Sequence, residues 1–225
     1  MTVFNAQTTG DEVVKAFSSV EGKTSQHPSN LTKHTLSTHI SPEFPFHNFT
    51  NGSQVLITGP SASGLGAQTA ISLAQGKPAH LLLAGRTLSK IAPVINEIQA
   101  ISPTTKVTFI ELDLSSLSSV RQAAKEINAK IEKLDILINN AGIMAVKEYE
   151  ESRDGVEMQF AANHIGHFLL TNLIMGKILV AGEGEGARVV NVSSGGYVCS
   201  GVRFEDWNFE VFILLSSPLP LRIWI

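Results

Sequence analysis

Three glycines follow a short apolar run in the sequence VLITGPSASGLG, residues 55–66. Val55, Leu56 and Ile57 are branched apolar residues, typical of a strand that is buried on both faces. Gly59, Gly64 and Gly66 would let the backbone bend tightly and approach a pyrophosphate, to which the next helix would offer its N-terminal N–H groups. This pattern predicts a dinucleotide site, although the loop alone also suits an ordinary strand-to-helix connection.

Two charged residues follow later apolar runs, where the adenosine half of a dinucleotide would lie. Arg86, in AGRT, comes just after a predicted strand, with Lys90 one helical turn further on. A cation at this place accommodates the 2′-phosphate of NADP, whereas a carboxylate takes the 2′-hydroxyl of NAD. The pattern therefore predicts NADP in preference to NAD. The alternative is a solvated arginine at the start of a helix.

Asp113, in ELDLSS, follows the next apolar run. At the carboxyl end of a strand its carboxylate could accept a hydrogen bond from an adenine amino group. It could instead cap the following helix, but Ser115 or Ser116 can fill that role and leave Asp113 available.

A fourth apolar run is followed directly by two amide residues and two small residues, Asn139, Asn140, Ala141 and Gly142. The small residues allow a close approach of backbone to ligand, and the asparagines can tie neighbouring loops together. A simple turn is the alternative interpretation.

The elements that must position these residues alternate regularly from residue 54 onward. We predict strands over residues 55–58, 80–84, 106–111, 134–138 and 187–192, and helices over 66–75, 88–101, 116–129 and 156–180. This order predicts an α/β fold with a Rossmann-type, doubly wound parallel sheet and helices on both faces.

The chain divides into four segments by composition. Residues 1–20 contain a capping box, Thr9 to Glu12, that predicts a helix over residues 11–18. Residues 21–52 are rich in Ser, Thr, His, Asn and Pro and are interpreted as an irregular linker or insertion. A partial NAD(P)-binding domain over residues 53–210 and an atypical apolar tail over residues 211–225 complete the division.

Composition limits the possible partners and compartments. The net charge of −3 gives no electrostatic reason to expect nucleic acid. The single cysteine, Cys199, excludes an intrachain disulfide and fits a reducing compartment. The N-terminus lacks a signal-peptide pattern, and we find no uninterrupted apolar run of the roughly 20 residues that span a bilayer. We therefore expect a cytoplasmic protein without an integral membrane segment.

The motifs ITGPSASGLG, AGR, LDLSS, LINNAG, NHIGHF and RVVNVSS occur in the order found in short-chain dehydrogenases/reductases. Over residues 54–194 the chain resembles this family, and NHIGHF and LDLSS resemble its retinol-dehydrogenase-like branch. The resemblance implies hydride transfer between NADP(H) and a small-molecule carbonyl or alcohol, and allows a homo-oligomer for the full-length family.

The resemblance also implies the roles of individual residues. Asn163 of NHIGHF would hold a water in the proton relay, and Ser194 of NVSS would bind the substrate oxygen. Asn163 could otherwise be a helical polar residue with a local hydrogen bond. His164 and His167 are interpreted as packing or surface residues, because no acidic or cysteine cluster accompanies them, and no metal site is predicted. The implied cofactor-binding residues are Gly59, Ser61, Ser63, Gly64, Leu65, Gly66, Arg86, Asp113, Leu114, Asn140, Ala141 and Gly142.

The chain departs from the family at its catalytic centre. The family's Tyr-x-x-x-Lys motif is absent from residues 1–225, since Tyr149 is followed four residues later by Arg153, and Tyr197 by Gly201. We therefore assign Tyr197 no catalytic role. The glycine loop also has four residues, Pro60 to Ser63, where the family commonly has three.

Five of the family's seven strands have counterparts, so we expect an incomplete sheet. Two hypotheses stay open: an NADP-dependent oxidoreductase represented by an incomplete chain, or a catalytically inactive, NADP-binding or regulatory truncated isoform. The irregular segment and the apolar tail would fit alternative splicing or translated intervening sequence, which sequencing of the transcript would test.

Overall fold

Five strands alternate with helices in the computed structural model, which describes residues 50–144, 146, 148–183, 186–195 and 204–208. The strands are β1 (Gln54–Thr58), β2 (His80–Gly85), β3 (Lys106–Glu111), β4 (Ile136–Asn139) and β5 (Arg188–Asn191). The helices are α1 (Leu65–Gln75), α2 (Leu88–Ile101), α3 (Leu117–Lys130), α4 (Met158–Phe160) and α5 (Gly166–Gly182). A π-helical segment, Ala161–Ile165, joins α4 to α5, and a 3₁₀ turn covers Phe204–Asp206.

All five strands form one parallel sheet in the order β3-β2-β1-β4-β5. The order runs outward from β1 in one direction and then from β4 in the other. The strand order therefore reverses between β1 and β4, which is where open α/β sheets bind ligands beyond the carboxyl ends of their strands. The predicted doubly wound α/β fold is confirmed.

The two faces of the sheet are covered by different helices, because successive strand residues point to opposite sides. Val55 and Ile57 of β1 pack in a core with residues of α1 and α2, whereas Leu56 between them packs in a second core with α3 and α5. Burial of both faces explains why β1, β2 and β4 are continuous apolar runs.

The helix predicted over residues 156–180 differs from the observed one. The observed helix starts at Met158, passes through the π-helical segment at Ala161–Ile165, and continues to Gly182. The run Met158–Gly182 is also long and apolar enough to cross a membrane by length and composition. Its inward side contributes Leu170, Ile174 and Ile178 to the core shared with α3.

Several predictions fall on residues that lie outside the described part of the chain. These are the helix over residues 11–18, most of the irregular segment, Cys199, Tyr197 and the tail over residues 211–225.

Candidate active site

The glycine-rich loop is hydrogen-bonded to β2 and α2 and lies against the loop after β4. The Gly59 N–H donates to the carbonyl oxygen of Ala84 in β2 (2.8 Å), and the Ala62 N–H donates to the carbonyl oxygen of Lys90 in α2 (2.9 Å). Gly59 has φ of +69°, and a Cβ there would lie 2.8 Å from Cα of Ala141. Glycine is therefore required at this turn both for its backbone conformation and for space.

The fourth residue between Gly59 and Gly64 is accommodated by a left-handed backbone at Ser63, where φ is +66°. Helix α1 then begins at Leu65 with Gly64 as its N-cap, and neither a side-chain cap nor an acidic residue occupies its first turn. The positive end of the helix dipole is thus left to an external anion, which is the arrangement that binds a pyrophosphate. The donor chemistry of this loop fits a dinucleotide.

A cleft of about 1420 Å³ lies over the carboxyl edge of the sheet. It brings together most of the residues predicted from the sequence to form the site, whereas Ser63 and Gly64 do not line it. The lining includes Gly59, Ser61, Leu65, Gly66, Arg86, Asp113, Leu114, Asn140, Ala141, Gly142, Asn163 and Ser194.

The end of the cleft next to β2 and β3 is cationic. Arg86 follows β2, is exposed, and lines the cleft together with Lys90. At the end of β3, Oδ1 of Asp113 accepts hydrogen bonds from the backbone N–H (3.0 Å) and the hydroxyl (2.7 Å) of Ser115. Ser116 is the N-cap of α3, as one of the two predicted options had it. Both contacts use Oδ1, so neither of these two hydrogen bonds occupies the other carboxylate oxygen of Asp113.

The two asparagines after β4 tie neighbouring elements together, as predicted. The Asn140 side-chain amide donates to the carbonyl oxygen of Thr58 (2.9 Å), which fixes the end of β4 against the end of β1. Asn139 is buried, and its side-chain amide donates to Asn191 Oδ1 (2.8 Å) and to Thr171 Oγ1 (3.2 Å). Asn139 Oδ1 is the buried side-chain oxygen without a hydrogen-bond partner among the described residues.

Asn163 lies within the π-helical segment and reaches the loop after β4. Its Oδ1 accepts a hydrogen bond from the Ile143 N–H (2.8 Å), and its side-chain amide donates to the Ile143 carbonyl oxygen (2.9 Å). The side chain thus pairs with the backbone of Ile143, much as a neighbouring strand would. Single π-helical turns within α-helices are frequently found at functional sites. The water-holding role implied for Asn163 stays a prediction.

Ser194 is placed across the cleft, three residues after β5 ends. It is exposed, as are its neighbours Val192 and Ser193, and all three line the cleft. Its implied contact with a substrate oxygen stays a prediction.

Two histidines of the NHIGHF motif occupy different environments. His164 is exposed and stacks between the rings of Phe160 and Phe168, with ring centroids 5.4 and 6.2 Å away. His167 is buried, and its Nε2 lies 2.8 Å from Thr58 Oγ1. Burial lowers the pKa of His167; the hydrogen bond to the Asn163 backbone acts in the opposite direction, and His164 adds a smaller lowering effect. No group of three or more His, Cys, Asp or Glu side chains suited to a metal occurs in the described residues.

Polar residues beyond those predicted lie in or beneath the cleft, whereas Tyr149 lies outside it. Tyr149 does not line the cleft, and its hydroxyl donates to Glu151 instead (2.8 Å). His167 and Asn191 line the cleft, and Thr58 is buried beneath it, with its hydroxyl oxygen 2.8 Å from His167 Nε2. Thr58 and His167 are partners 109 positions apart, and Asn139 and Asn191 are partners 52 positions apart. The sequence indicated only that Thr58 ends a predicted strand and that Asn191 is the next-to-last residue of another.

Comparison with known proteins gives a consistent result. Residues 53–202 match the model of a protein family described as short chain dehydrogenase. The chain is 38% identical over 159 residues to retinol dehydrogenase 13 of Homo sapiens, covering 71% of this chain and 46% of that protein. It is 41% identical over 165 residues to retinol dehydrogenase 12 of Bos taurus, covering 73% of this chain and 50% of that protein. The chain thus spans about half the length of these relatives.

Solved structures support the same fold. An NADH-dependent reductase A1-R′ complexed with NAD superposes with a TM-score of 0.57 at 19% identity, covering 68% of this chain and 63% of that one. The Pseudomonas aeruginosa RhlG/NADP active-site complex superposes with a TM-score of 0.54 at 26% identity, covering 64% of this chain and 55% of that one. These neighbours include one complex with NAD and one with NADP, so they do not discriminate between the two cofactors.

Proposed function

Because the chain belongs to the short chain dehydrogenase family, we propose that it binds NADP and serves the interconversion of a small-molecule carbonyl and alcohol. The observation that carries the choice of NADP is Arg86, an exposed cation in the cleft at the carboxyl end of β2. The residues between β2 and α2 are Arg86 and Thr87, so no carboxylate is present there for a ribose 2′-hydroxyl. The names of the retinol dehydrogenase relatives support an alcohol or carbonyl substrate.

Different residues of the cleft would bind different parts of the cofactor. The start of α1 and the glycine loop would bind the pyrophosphate, Arg86 the 2′-phosphate, and Asp113 the adenine amino group. The loop Asn140–Gly142 would lie against the middle of the cofactor, where its small residues admit a close approach. Once bound, NADP(H) supplies the hydride chemistry. Asn163 and Ser194 would then orient water and the substrate oxygen at the far end of the cleft.

A second candidate function is NADP binding without catalysis. The observation that favours it is the absence of a Tyr-x-x-x-Lys motif in residues 1–225. A protein of this kind would bind the cofactor with the same residues and act as a binding or regulatory partner.

The choice of cofactor is tested by replacing Arg86 with alanine. We expect wild-type protein to bind NADPH more tightly than NADH, because a guanidinium makes charge-assisted, bidentate contacts with a phosphate. Arg86→Ala should narrow this preference by about ten- to a hundredfold, since a hydrogen bond to a charged group contributes about 1.5–3 kcal/mol and about 1.4 kcal/mol is a factor of ten. Isothermal titration of both cofactors against both proteins measures the preference.

Arg121→Ala is the matched control, because Arg121 is an exposed arginine on α3 that does not line the cleft. It should leave both affinities unchanged. Equal affinities of the wild-type protein for NADPH and NADH would refute the proposed cofactor preference.

We further propose a cytoplasmic location, with the apolar run Met158–Gly182 serving as a core helix. Its support is the burial of Leu170, Ile174 and Ile178 against α3 and the sheet. We expect alkaline carbonate washing to release the protein into the soluble fraction. Retention in the membrane pellet would contradict the proposal that Met158–Gly182 is a core helix.

A further inference from the structure

His167 connects three elements at the floor of the cleft. It lies in the first turn of α5, where its Nδ1 is 3.0 Å from the carbonyl oxygen of Asn163 in the π-helical segment. Its Nε2 is 2.8 Å from Oγ1 of Thr58, the last residue of β1. The same Thr58 oxygen receives the backbone N–H groups of Asn140 and Ala141, both at 3.0 Å.

The direction of each hydrogen bond in this chain can be worked out. A hydroxyl oxygen has two lone pairs and one proton. The N–H groups of Asn140 and Ala141 occupy both lone pairs of Thr58 Oγ1, so the hydroxyl must donate its own proton. His167 Nε2 at 2.8 Å is the nearer acceptor, since the carbonyl oxygen of Ile138 lies at 3.5 Å.

The other ring nitrogen of His167 must then carry the hydrogen. Its partner is the carbonyl oxygen of Asn163, which can only accept, so Nδ1 donates. The ring is therefore neutral, with its proton on Nδ1. A second proton on Nε2 would place a third N–H donor on Thr58 Oγ1, which has no lone pair left for it.

We propose that His167 is a positioning residue that, in its neutral Nδ1–H form, orients the Thr58 hydroxyl and thereby fixes the loop Asn140–Ala141 in the cleft. This proposal rests on the proposed function, because the loop matters to activity only if a dinucleotide binds against it. His167 also donates a hydrogen bond to the carbonyl oxygen of Asn163, which fixes the distance between the π-helical segment and the loop. The Asn163 side chain forms two hydrogen bonds with the same loop further along, at the backbone of Ile143.

The surroundings of the ring favour this neutral form. The titratable neighbour on its own side is His164, three residues earlier in the π-helical segment. Strand β1 presents the Thr58 hydroxyl to the ring, and the backbone of Ile138 in β4 and of Asn140 and Ala141 in the following loop surrounds that hydroxyl. None of these groups titrates. Burial lowers the pKa of His167, which agrees with the hydrogen-bond directions.

The protonation state is tested on the cofactor-free chain by ¹⁵N–¹H correlation spectra of the histidine rings. We expect the His167 ring to be neutral with its hydrogen on Nδ1 at pH 7, and to stay so as the pH falls through 6.5. A ring with its hydrogen on Nε2, or an imidazolium at pH 7, would overturn the proposal. Because this readout needs neither NADP nor activity, it remains decisive if the proposed function fails.

The positioning role is tested by NADPH titration of His167 variants. His167→Leu removes the acceptor for Thr58 and should weaken NADPH binding about tenfold. His167→Gln offers an amide oxygen near the position of Nε2 and should recover most of that loss. In combination with Thr58→Val, which removes the shared hydroxyl, His167→Leu should add little further loss, because both changes break one hydrogen-bond chain. Additive losses, or a Gln variant as weak as the Leu variant, would contradict the proposal.

His80→Leu is the matched control. His80 is a buried histidine with a threonine partner, Thr108 Oγ1 at 2.7 Å, but it does not line the cleft. Its replacement should lower stability and leave NADPH affinity within twofold. If wild-type protein binds no NADPH, the proposed function fails, and the coupling of Thr58 to His167 is then measured from the free energies of unfolding of the same variants. Coupling there would support the hydrogen-bond chain, whereas its absence would refute it.

Discussion

At the scale of single residues, Gly66 of α1 lies directly against Asn140 in the loop after β4. A Cβ at Gly66 would overlap the side-chain amide of Asn140 and lie 2.7 Å from the carbonyl oxygen of Gly59. The same amide of Asn140 holds the carbonyl oxygen of Thr58. A single methyl group at Gly66 would therefore disturb both the turn and the junction of β1 with β4.

We predict that Gly66→Ala destabilises the fold by about 1–3 kcal/mol, the usual cost of overfilling a packed site, and weakens NADPH binding. Urea unfolding and cofactor titration measure the two effects. Gly176→Ala is the matched control, because Gly176 is also helical but a Cβ there would meet nothing within 4 Å. The control should be neutral or stabilising by up to ~1 kcal/mol through helix propensity. Equal stability of the two variants would contradict the prediction.

The sequence predicted which residues meet in the cleft better than it predicted how they are held. Arg86, Asp113 and Asn140 each follow an apolar strand, and the carboxyl ends of parallel strands meet at one edge of the sheet. That geometry follows from the alternation of elements alone. The bond between Thr58 and His167 joins residues 109 positions apart. It depends on the rotation of α5, which no local pattern specifies.

At the scale of elements, the predicted bounds match the observed bounds best where the apolar pattern of the sequence is strongest. The bounds of α2 and β3 are those predicted, Leu88–Ile101 and Lys106–Glu111, because both have regular periodicity and clear flanking turns. The π-helical segment at Ala161–Ile165 was missed, since one extra residue per turn leaves no signature in composition. It is stabilised by a long-range contact, that of Asn163 with Ile143.

A pH-sensitive contact joins the first residue of β2 to the third residue of β3. His80 Nε2 lies 2.7 Å from Thr108 Oγ1, and His80 pairs in register with Lys106. Burial, followed by the charges of Lys106 and Lys130, lowers the pKa of His80 from 6.5 to about 4. The folded state therefore favours the neutral ring, and between these two values the unfolded state binds more protons.

It follows that the free energy of unfolding should fall as the pH is lowered from 6.5 towards 4, and that the contribution of His80 should be complete above 6.5. His167 contributes with the same sign, because its pKa is also lowered. His80→Gln keeps a polar partner for Thr108 without a titrating ring and should reduce this slope. Urea unfolding at intervals across the range measures it. An unchanged slope in the variant would show that His80 is not responsible.

At the scale of the whole molecule, β5 is an edge strand within the described residues, where it pairs with β4. Val189 is 40% exposed and Val192 49% exposed. An open edge with exposed branched side chains can pair with another chain. We predict that residues 1–225 self-associate or have poor solubility when expressed alone.

Val189→Lys should shift this association towards monomer, because a charge on an edge strand opposes pairing. Sedimentation velocity over a range of concentrations measures the shift. Val180→Lys is the control, since Val180 is 52% exposed but lies on α5 and not on the sheet edge. A wild-type chain that is a monodisperse, cooperatively melting monomer would contradict the prediction.

Catalysis would require a proton donor in the cleft beside the substrate and the cofactor. Hydride transfer to a carbonyl leaves an alkoxide that needs a proton, and a positioned acid contributes about 10²–10⁴-fold to such a step. A tyrosine with an unperturbed pKa of about 10 needs a neighbouring cation to act near neutrality, and the family's lysine fills that role. The lysine also fixes the nicotinamide ribose, so its absence impairs the alignment of the reactants as well.

We therefore predict that residues 1–225 have no more than trace NADPH-dependent reductase activity, even where the cofactor binds. Ser194 and Asn163 line the cleft and can orient groups, but neither side chain supplies a proton at pH 7. The Tyr149 hydroxyl donates a hydrogen bond to Glu151, and Tyr149 does not line the cleft. Purified protein is assayed with NADPH and a panel of aldehydes and ketones, with cofactor binding measured on the same sample. Turnover of roughly 1 per second or more, that of an ordinary enzyme, would show that another residue supplies the proton, and Tyr197 would be the first to replace.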